Sequence, residues 1–225
     1  FIMSTTITDD LIIRGRLVMS GASSVLHKAS SVADADVSPT AAIARTKLAL
    51  NTVAYRIPWS AWRIFDAINT SLPATSSGDD MAINAGTHGT NVARMQSYDV
   101  KAANVLPFYA RAFIPMPIEY ANGETALIRA SAGMITTIAG VACTLDFEVR
   151  APSRTGTLGS DLVTTTATSI NSVTFANYDY AMDEATLVAG DLLDILLKIS
   201  VNDAATATAV IAALYAIELV CDVQG

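Results

Sequence analysis

The sequence predicts a mainly β protein: an antiparallel β-sandwich of the jelly-roll kind, preceded by an extended N-terminal arm with short strands and a short helix. Three observations predict it. Several segments after residue 107 alternate apolar and polar side chains with a period of two, the pattern of strands with one buried face. The connections between them carry turn chemistry, as in Tyr120-Ala121-Asn122-Gly123-Glu124 and Val188-Ala189-Gly190-Asp191. Helical spacing is almost absent from the same region, and the strands are long, which favours a jelly roll over an immunoglobulin-like module.

Residues 1–57 read as the arm and residues 58–225 as one compact β domain. In the arm, Ile7, Leu11, Ile13, Leu17 and Met19 share odd positions around Gly15, as two short strands would require. Two isolated strands are marginal in water, so these apolar residues are candidate anchors on a partner. Residues 20–36 are small and polar, a loop or linker. Ser38 is a suitable N-cap and Pro39 a suitable first residue for a short alanine-rich helix. Trp59, Trp62 and Phe65 then form an aromatic knot at the arm–domain junction. Residues 69–104, rich in Gly, Thr, Asn and Asp, suggest a long structured loop with room for one short strand.

Phe108 to Met116 alternates and closes at Pro115 and Pro117. Ile128, Ala130, Ala132 and Met134 share a face, and Cys143, Leu145, Phe147 and Val149 alternate without exception against Thr144, Asp146, Glu148 and Arg150. Val173 and Phe175 fall out of phase with Tyr178, Tyr180 and Met182, which predicts a bulge near Ala176. Leu193, Ile195, Leu197, Ile199 and Val201 alternate in turn. The last strand, about Thr208 to Val223, carries apolar residues in both phases: Val210, Ala212 and Leu214 in one, Ile211, Ala213, Tyr215 and Ile217 in the other. A strand apolar on both faces is covered on both, so Val210, Ala212 and Leu214 become candidates for an interface between copies.

Composition bears on the same point. In 225 residues the apolar share is 52%, the charged share only 16%, and mean hydropathy is +0.41. Soluble chains average about 25% charged residues, so this one is short of charge for a solitary surface. No apolar run reaches the length of a spanning helix: Ala204 to Ile217 is bounded by Asp203 and Glu218 and interrupted by Thr206 and Thr208. Phe1-Ile2-Met3 leads straight into Ser4-Thr5-Thr6, so no signal peptide is expected. Shared interfaces rather than a membrane account for the apolar excess. The net charge of −7, with scattered Arg and Lys, excludes a nucleic-acid footprint.

Catalytic and metal-binding patterns are thin. His27 and His88 stand apart from each other and from Cys143 and Cys221, without metal-ligand spacing. No phosphate loop, dinucleotide fingerprint, Gly-x-Ser-x-Gly or His-Glu-x-x-His occurs, so neither an enzyme nor a cofactor is expected. The two cysteines, each in an apolar phase, read as buried reduced thiols, with pairing left open. Asp79-Asp80, Asp179, Asp183 and Glu184 offer hard oxygen ligands for calcium, but acidic residues in solvent explain them as well. Trp59, Trp62, Tyr178 and Tyr180 have the faces that stack on sugars, yet large aromatics are more often buried.

Ser38-Pro39-Thr40-Ala41-Ala42-Ile43-Ala44-Arg45-Thr46-Lys47-Leu48 resembles a linker that recurs in fibre and head-appendage proteins of tailed bacteriophages. Leu11-Ile12-Ile13-Arg14-Gly15-Arg16-Leu17 is similar to strand units near the start of such proteins. Leu187-Val188-Ala189-Gly190-Asp191-Leu192-Leu193-Asp194-Ile195 and Val201-Asn202-Asp203-Ala204-Ala205-Thr206 look like parts of phage jelly-roll domains. The resemblance implies a virion component, commonly trimeric, whose arm fastens a sandwich to the particle. The shortness of this arm favours a capsid decoration, or cement, subunit on the outer capsid surface, bound to the major capsid protein. The alternative is a carbohydrate-binding head-fibre or tail-tip protein that recognises a receptor.

Overall fold

The computed structural model describes residues 50–224 except 102, 136, 154 and 205–207. These lie in the second of two units into which the chain divides, Ala44–Gly225. The arm anchors Ile7, Leu11, Ile13 and Leu17, the helix expected after Ser38, and His27 fall outside the described residues.

The strands are β1 (Leu50–Arg56), β2 (Trp62–Arg63), β3 (Ala82–Asn84), β4 (Arg94–Gln96), β5 (Val105–Pro115), β6 (Ala126–Met134), β7 (Ala142–Arg150), β8 (Thr168–Ser169), β9 (Ala176–Ala181), β10 (Leu192–Asn202) and β11 (Ala212–Gln224). One sheet has the order β3-β4-β11-β6-β9 with β1 also on β11; the other is β2-β5-β10-β7-β8. Every strand pair is antiparallel. From β4 onward, β4-β11-β6-β9 faces β5-β10-β7-β8, and the chain crosses between sheets at every step except β7 to β8. That is the strand order of a jelly roll, two interlocked Greek keys closed into a sandwich. No helix among the described residues is long and apolar enough to cross a membrane.

The alternation read from sequence places the core. In β7 the inward side chains are Cys143, Leu145, Phe147 and Val149; in β10 they are Leu193, Ile195, Leu197, Ile199 and Val201; in β6 they are Ala126, Ile128, Ala130, Ala132 and Met134. All are buried. Each large aliphatic contributes roughly 1.5–3 kcal/mol by leaving water, which is what holds the two sheets face to face. Cys143 and Cys221 sit in this core as free thiols, on different sheets.

Four expectations change. Residues 50–56, read as the end of the arm, form β1 and pair along their length with β11, from Leu50 opposite Gln224 to Arg56 opposite Glu218. The expected loop 69–104 contains two paired short strands, β3 and β4, the second continuing onto β11. The phase slip at Ala176 is not a bulge: β9 begins there, and Val173 and Phe175 precede it. The bulge lies in β11 instead, where Leu214 opposes Ala132 and Ala216 opposes Ser131, leaving Tyr215 as the extra residue.

That bulge shifts which residues of β11 face the core; the other face is covered as well, with Ala213 and Val220 buried there and the Phe175 ring packed on Tyr215. Before it the inward residues are Val210, Ala212 and Leu214; after it they are Ile217, Leu219, Cys221 and Val223. One inward face changes parity. Val210, Ala212 and Leu214 are wholly buried in the core of a single chain, so they are not an interface offered to another copy. Gly133, opposite Ala213, leaves room for the segment around Ser172 and Phe175 to lie against the sheet. A side chain there would come within 3.0 Å of the Ser172 carbonyl and 3.2 Å of the Phe175 ring. Phe175 in turn packs on the Tyr215 ring at 4.6 Å.

Candidate functional site

The outer face of the five-stranded sheet collects the chemistry. The polar phases of β5, β10 and β7 line up in rows: Phe113, Asp194 and Arg150; Arg111, Leu196 and Glu148; Tyr109, Lys198 and Asp146. A small cleft of about 170 Å³ opens among them, lined by Phe65, Arg111, Glu148, Arg150, Leu158, Asp194 and Leu196.

Its side chains are held in place. Arg111 makes a bidentate pair with Asp194, Nε to Oδ1 at 2.7 Å and Nη2 to Oδ2, and its guanidinium lies 4.9 Å over the centre of the Phe113 ring. The hydrogen bond to Asp194 holds the Arg111 pKa above its ordinary value. Asp194 is the buried partner, with 8% of its side chain exposed against 33% for Arg111. Arg150 donates through Nε to Glu148 and through Nη1 to the Gly159 carbonyl at 2.8 Å, which ties the long β7–β8 connection to the sheet. Phe65 packs on Tyr109 with ring centres 4.6 Å apart. Burial, the largest cause, raises the pKa of Asp146, with the Lys198 ammonium working against it.

Of the aromatic knot, Trp62 is fully buried in β2 against β5, and among the described residues its Nε1–H meets no acceptor. Trp59 is half-buried against the core, and Phe65 lies at the cleft. Tyr180 is buried, its hydroxyl donating to the Leu145 carbonyl at 2.7 Å, while Tyr178 is half-buried. The sugar-stacking candidates drawn from sequence are therefore largely packing residues. The aromatic pair beside the cleft, Phe65 and Tyr109, is not among them.

Two of the calcium candidates, Asp179 and Asp183, are engaged elsewhere. Asp179 is bidentate with Arg129, both contacts at 2.7 Å, and this pairing lowers its pKa. Asp183 accepts from the Ala185 N–H at 3.1 Å, capping a 3-10 turn. Burial raises the pKa of Asp80, whose Oδ1 meets no donor among the described residues; Asp79 and Asp66 add to the effect. No group of three or more His, Cys, Asp or Glu among the described residues is arranged to hold a metal ion.

No signal in the sequence marks the cleft. Glu148, Arg150, Asp194 and Leu196 read as the solvent phase of their strands, and only the register of β10 between β5 and β7 sets them side by side.

No family model matches the chain, and no curated protein is significantly similar to it in sequence. Solved structures align weakly. The CBM22-1 xylan-binding domain from Paenibacillus barcinonensis Xyn10C aligns over 77% of this chain and 94% of its own, at 14% identity and a TM-score of 0.39. The xylan-binding module CBM15 aligns over 76% of this chain and 97% of its own, at 9% identity and a TM-score of 0.38. The enzymatically active domain of tailspike protein 4 from bacteriophage CBA120 aligns over 72% of this chain and 19% of its own, at 13% identity and a TM-score of 0.38. Likeness at this level carries no argument about ligand or role; the jelly-roll assignment stands on the strand order.

Proposed function

We propose that this chain is a binding module, without catalysis of its own, that takes a saccharide on the outer face of the five-stranded sheet. One observation carries the reading: the Phe65–Tyr109 ring pair stands beside two arginine–carboxylate pairs around a shallow cleft. An aromatic face offers flat apolar area to the C–H side of a sugar ring. Guanidinium groups donate and carboxylates accept, matching hydroxyls that do both. Because the pairs are already fixed, little side-chain freedom is lost on binding. The cleft's 170 Å³ is below the ~300–1,000 Å³ of pockets that engulf small ligands. It suits one ring of a longer glycan lying across the sheet. Asp194 and Glu148 are each held by an arginine, an arrangement that serves recognition rather than proton transfer.

A glycan array followed by calorimetry tests this. Phe65→Ala is expected to weaken binding about tenfold, the loss of a ring contact worth roughly 1–1.5 kcal/mol, with the fold intact because Phe65 is only half-buried. An array without hits, or an affinity indifferent to both Phe65→Ala and Arg150→Ala, would dispose of the reading.

A second reading, a capsid decoration subunit attached through its arm to the major capsid protein, is favoured by the low charge content and by exposed apolar side chains at both ends of the sandwich. Val105, Ile138 and Val141 stand at one end, and Ile118, Val188 and Leu192 at the other. Removing residues 1–36 is then expected to leave a folded sandwich, since its first described strand starts at Leu50, that no longer occupies particles. Undiminished decoration of capsids by the truncated protein, measured as copies per particle, excludes the arm as the attachment.

A further inference from the structure

We propose that a second copy of this chain pairs with β1, edge to edge, to form a two-fold dimer with a sheet continuous across the interface. The inference does not depend on the saccharide reading. The Ile57 N–H donates to the Ile217 carbonyl at 2.8 Å, which makes those two residues a hydrogen-bonded pair just past the end of β1. Antiparallel ladders alternate, so in the observed register Tyr55, Val53 and Asn51 also direct their backbone groups to β11. Leu50, Thr52, Ala54 and Arg56 therefore direct theirs to the opposite edge. Among the described residues no strand pairs with that edge.

Sheets normally blunt such an edge with Pro, Lys, a bulge or a covering loop. β1, Leu50-Asn51-Thr52-Val53-Ala54-Tyr55-Arg56, has no Pro or Lys, and its register with β11 is unbroken. Its one charge, Arg56, is exposed and donates back to its own sheet, through Nη2 to the Tyr215 carbonyl at 2.6 Å. The strand is exposed on both faces except at Val53, which packs on the core.

The edge is complementary to itself. A two-fold axis at Val53 sets Leu50 opposite Arg56 and Thr52 opposite Ala54, so all four outward-directed residues meet outward-directed mates. Asn51 then opposes Tyr55, and Val53 opposes its own copy. No like charges face one another: the two Arg56 residues lie at opposite ends of the pairing, about 20 Å apart at ~3.4 Å per residue, beyond a Debye length of ~8 Å. Exposed Leu50 and Tyr55 each gain a cross-strand neighbour, the Arg56 stem and Asn51 of the other copy. An isologous contact of this kind closes at two subunits.

Light scattering and sedimentation of the full chain test the proposal. The expected species is a dimer that dissociates on dilution. Ala54→Pro removes an outward N–H and spares the ladder to β11, a position where an edge strand tolerates proline. It is expected to give a monomer with unchanged circular dichroism. Ala54→Lys keeps the backbone donors, and it is expected to weaken the dimer at least tenfold and make it salt-dependent. A monomer at about 100 μM overturns the proposal, as does a trimer, or a dimer that both variants leave intact. So does a monomer whose Thr52 and Ala54 amides resist hydrogen exchange, because that edge would be covered from within the chain.

Discussion

Replacing Tyr180 with alanine is expected to destabilise the sandwich by about 4 kcal/mol, within the range of roughly 3–5 kcal/mol for removing a large buried ring. The side chain leaves β9 in one sheet, crosses the core, packs edge-on against Phe147 at 4.9 Å and donates its hydroxyl to Leu145 in the other sheet at 2.7 Å. It is fully buried. The alanine variant loses apolar burial, opens a cavity between the sheets and leaves the Leu145 carbonyl without that donor. Tyr180→Phe keeps the ring and loses only the hydrogen bond, so it is expected to cost about 1–2 kcal/mol. Urea unfolding of the three proteins checks both values. A Tyr180→Ala loss below about 1.5 kcal/mol, with an unchanged denaturant slope, contradicts the placement of the ring in the core.

The second large effect is alkaline. Burial pushes Tyr180 and Tyr120 from their ordinary 10.0 up to about 12, Cys143 from 9.0 up to about 12, and Cys221 from 9.0 up to about 11. In each case the folded state favours the protonated form, because the anion would lie in the core. The stability this represents is fully present below about pH 9. As pH rises, the unfolded chain releases these protons first, and stability falls by up to about 1.4 kcal/mol per pH unit for each group caught between its two values. The thiols act from about pH 9 and the tyrosines from about pH 10, so the decline steepens until pH 11–12. Thermal unfolding followed from pH 7 to 11 is expected to show a flat region and then a drop in Tm. Cys143→Ser removes one of the ionisations and is expected to make that drop shallower. A midpoint constant to pH 11 contradicts the burial of these groups.

Much of the fold is legible in the amino-acid order, because a strand with one buried face writes its own period into the chain. Cys143-Leu145-Phe147-Val149 and Leu193-Ile195-Leu197-Ile199-Val201 need no partner to be recognised as inward rows, and all of them are buried. Period alone fails where a strand changes parity. Around Tyr215 an extra residue in the pairing with β6 switches the inward face of β11 from one apolar phase to the other, while Ala213 and Val220 are buried on its far side. That arrangement removes Val210, Ala212 and Leu214 from the surface. It moves the case for self-association to β1, a strand that the sequence pattern places in the arm.

The side-chain alternation, the turns between strands and the shortage of charge were properties of the chain itself, set by local backbone geometry and composition. Which strands became neighbours was not. Arg111 meets Asp194, Arg150 stands beside Asp194 across the β7–β10 pair, and Phe65 meets Tyr109 because antiparallel pairing joins residues far apart in sequence at a register fixed by packing of the whole core. The candidate cleft and the open edge of β1 both depend on that register, and for that reason only the tertiary structure decided them.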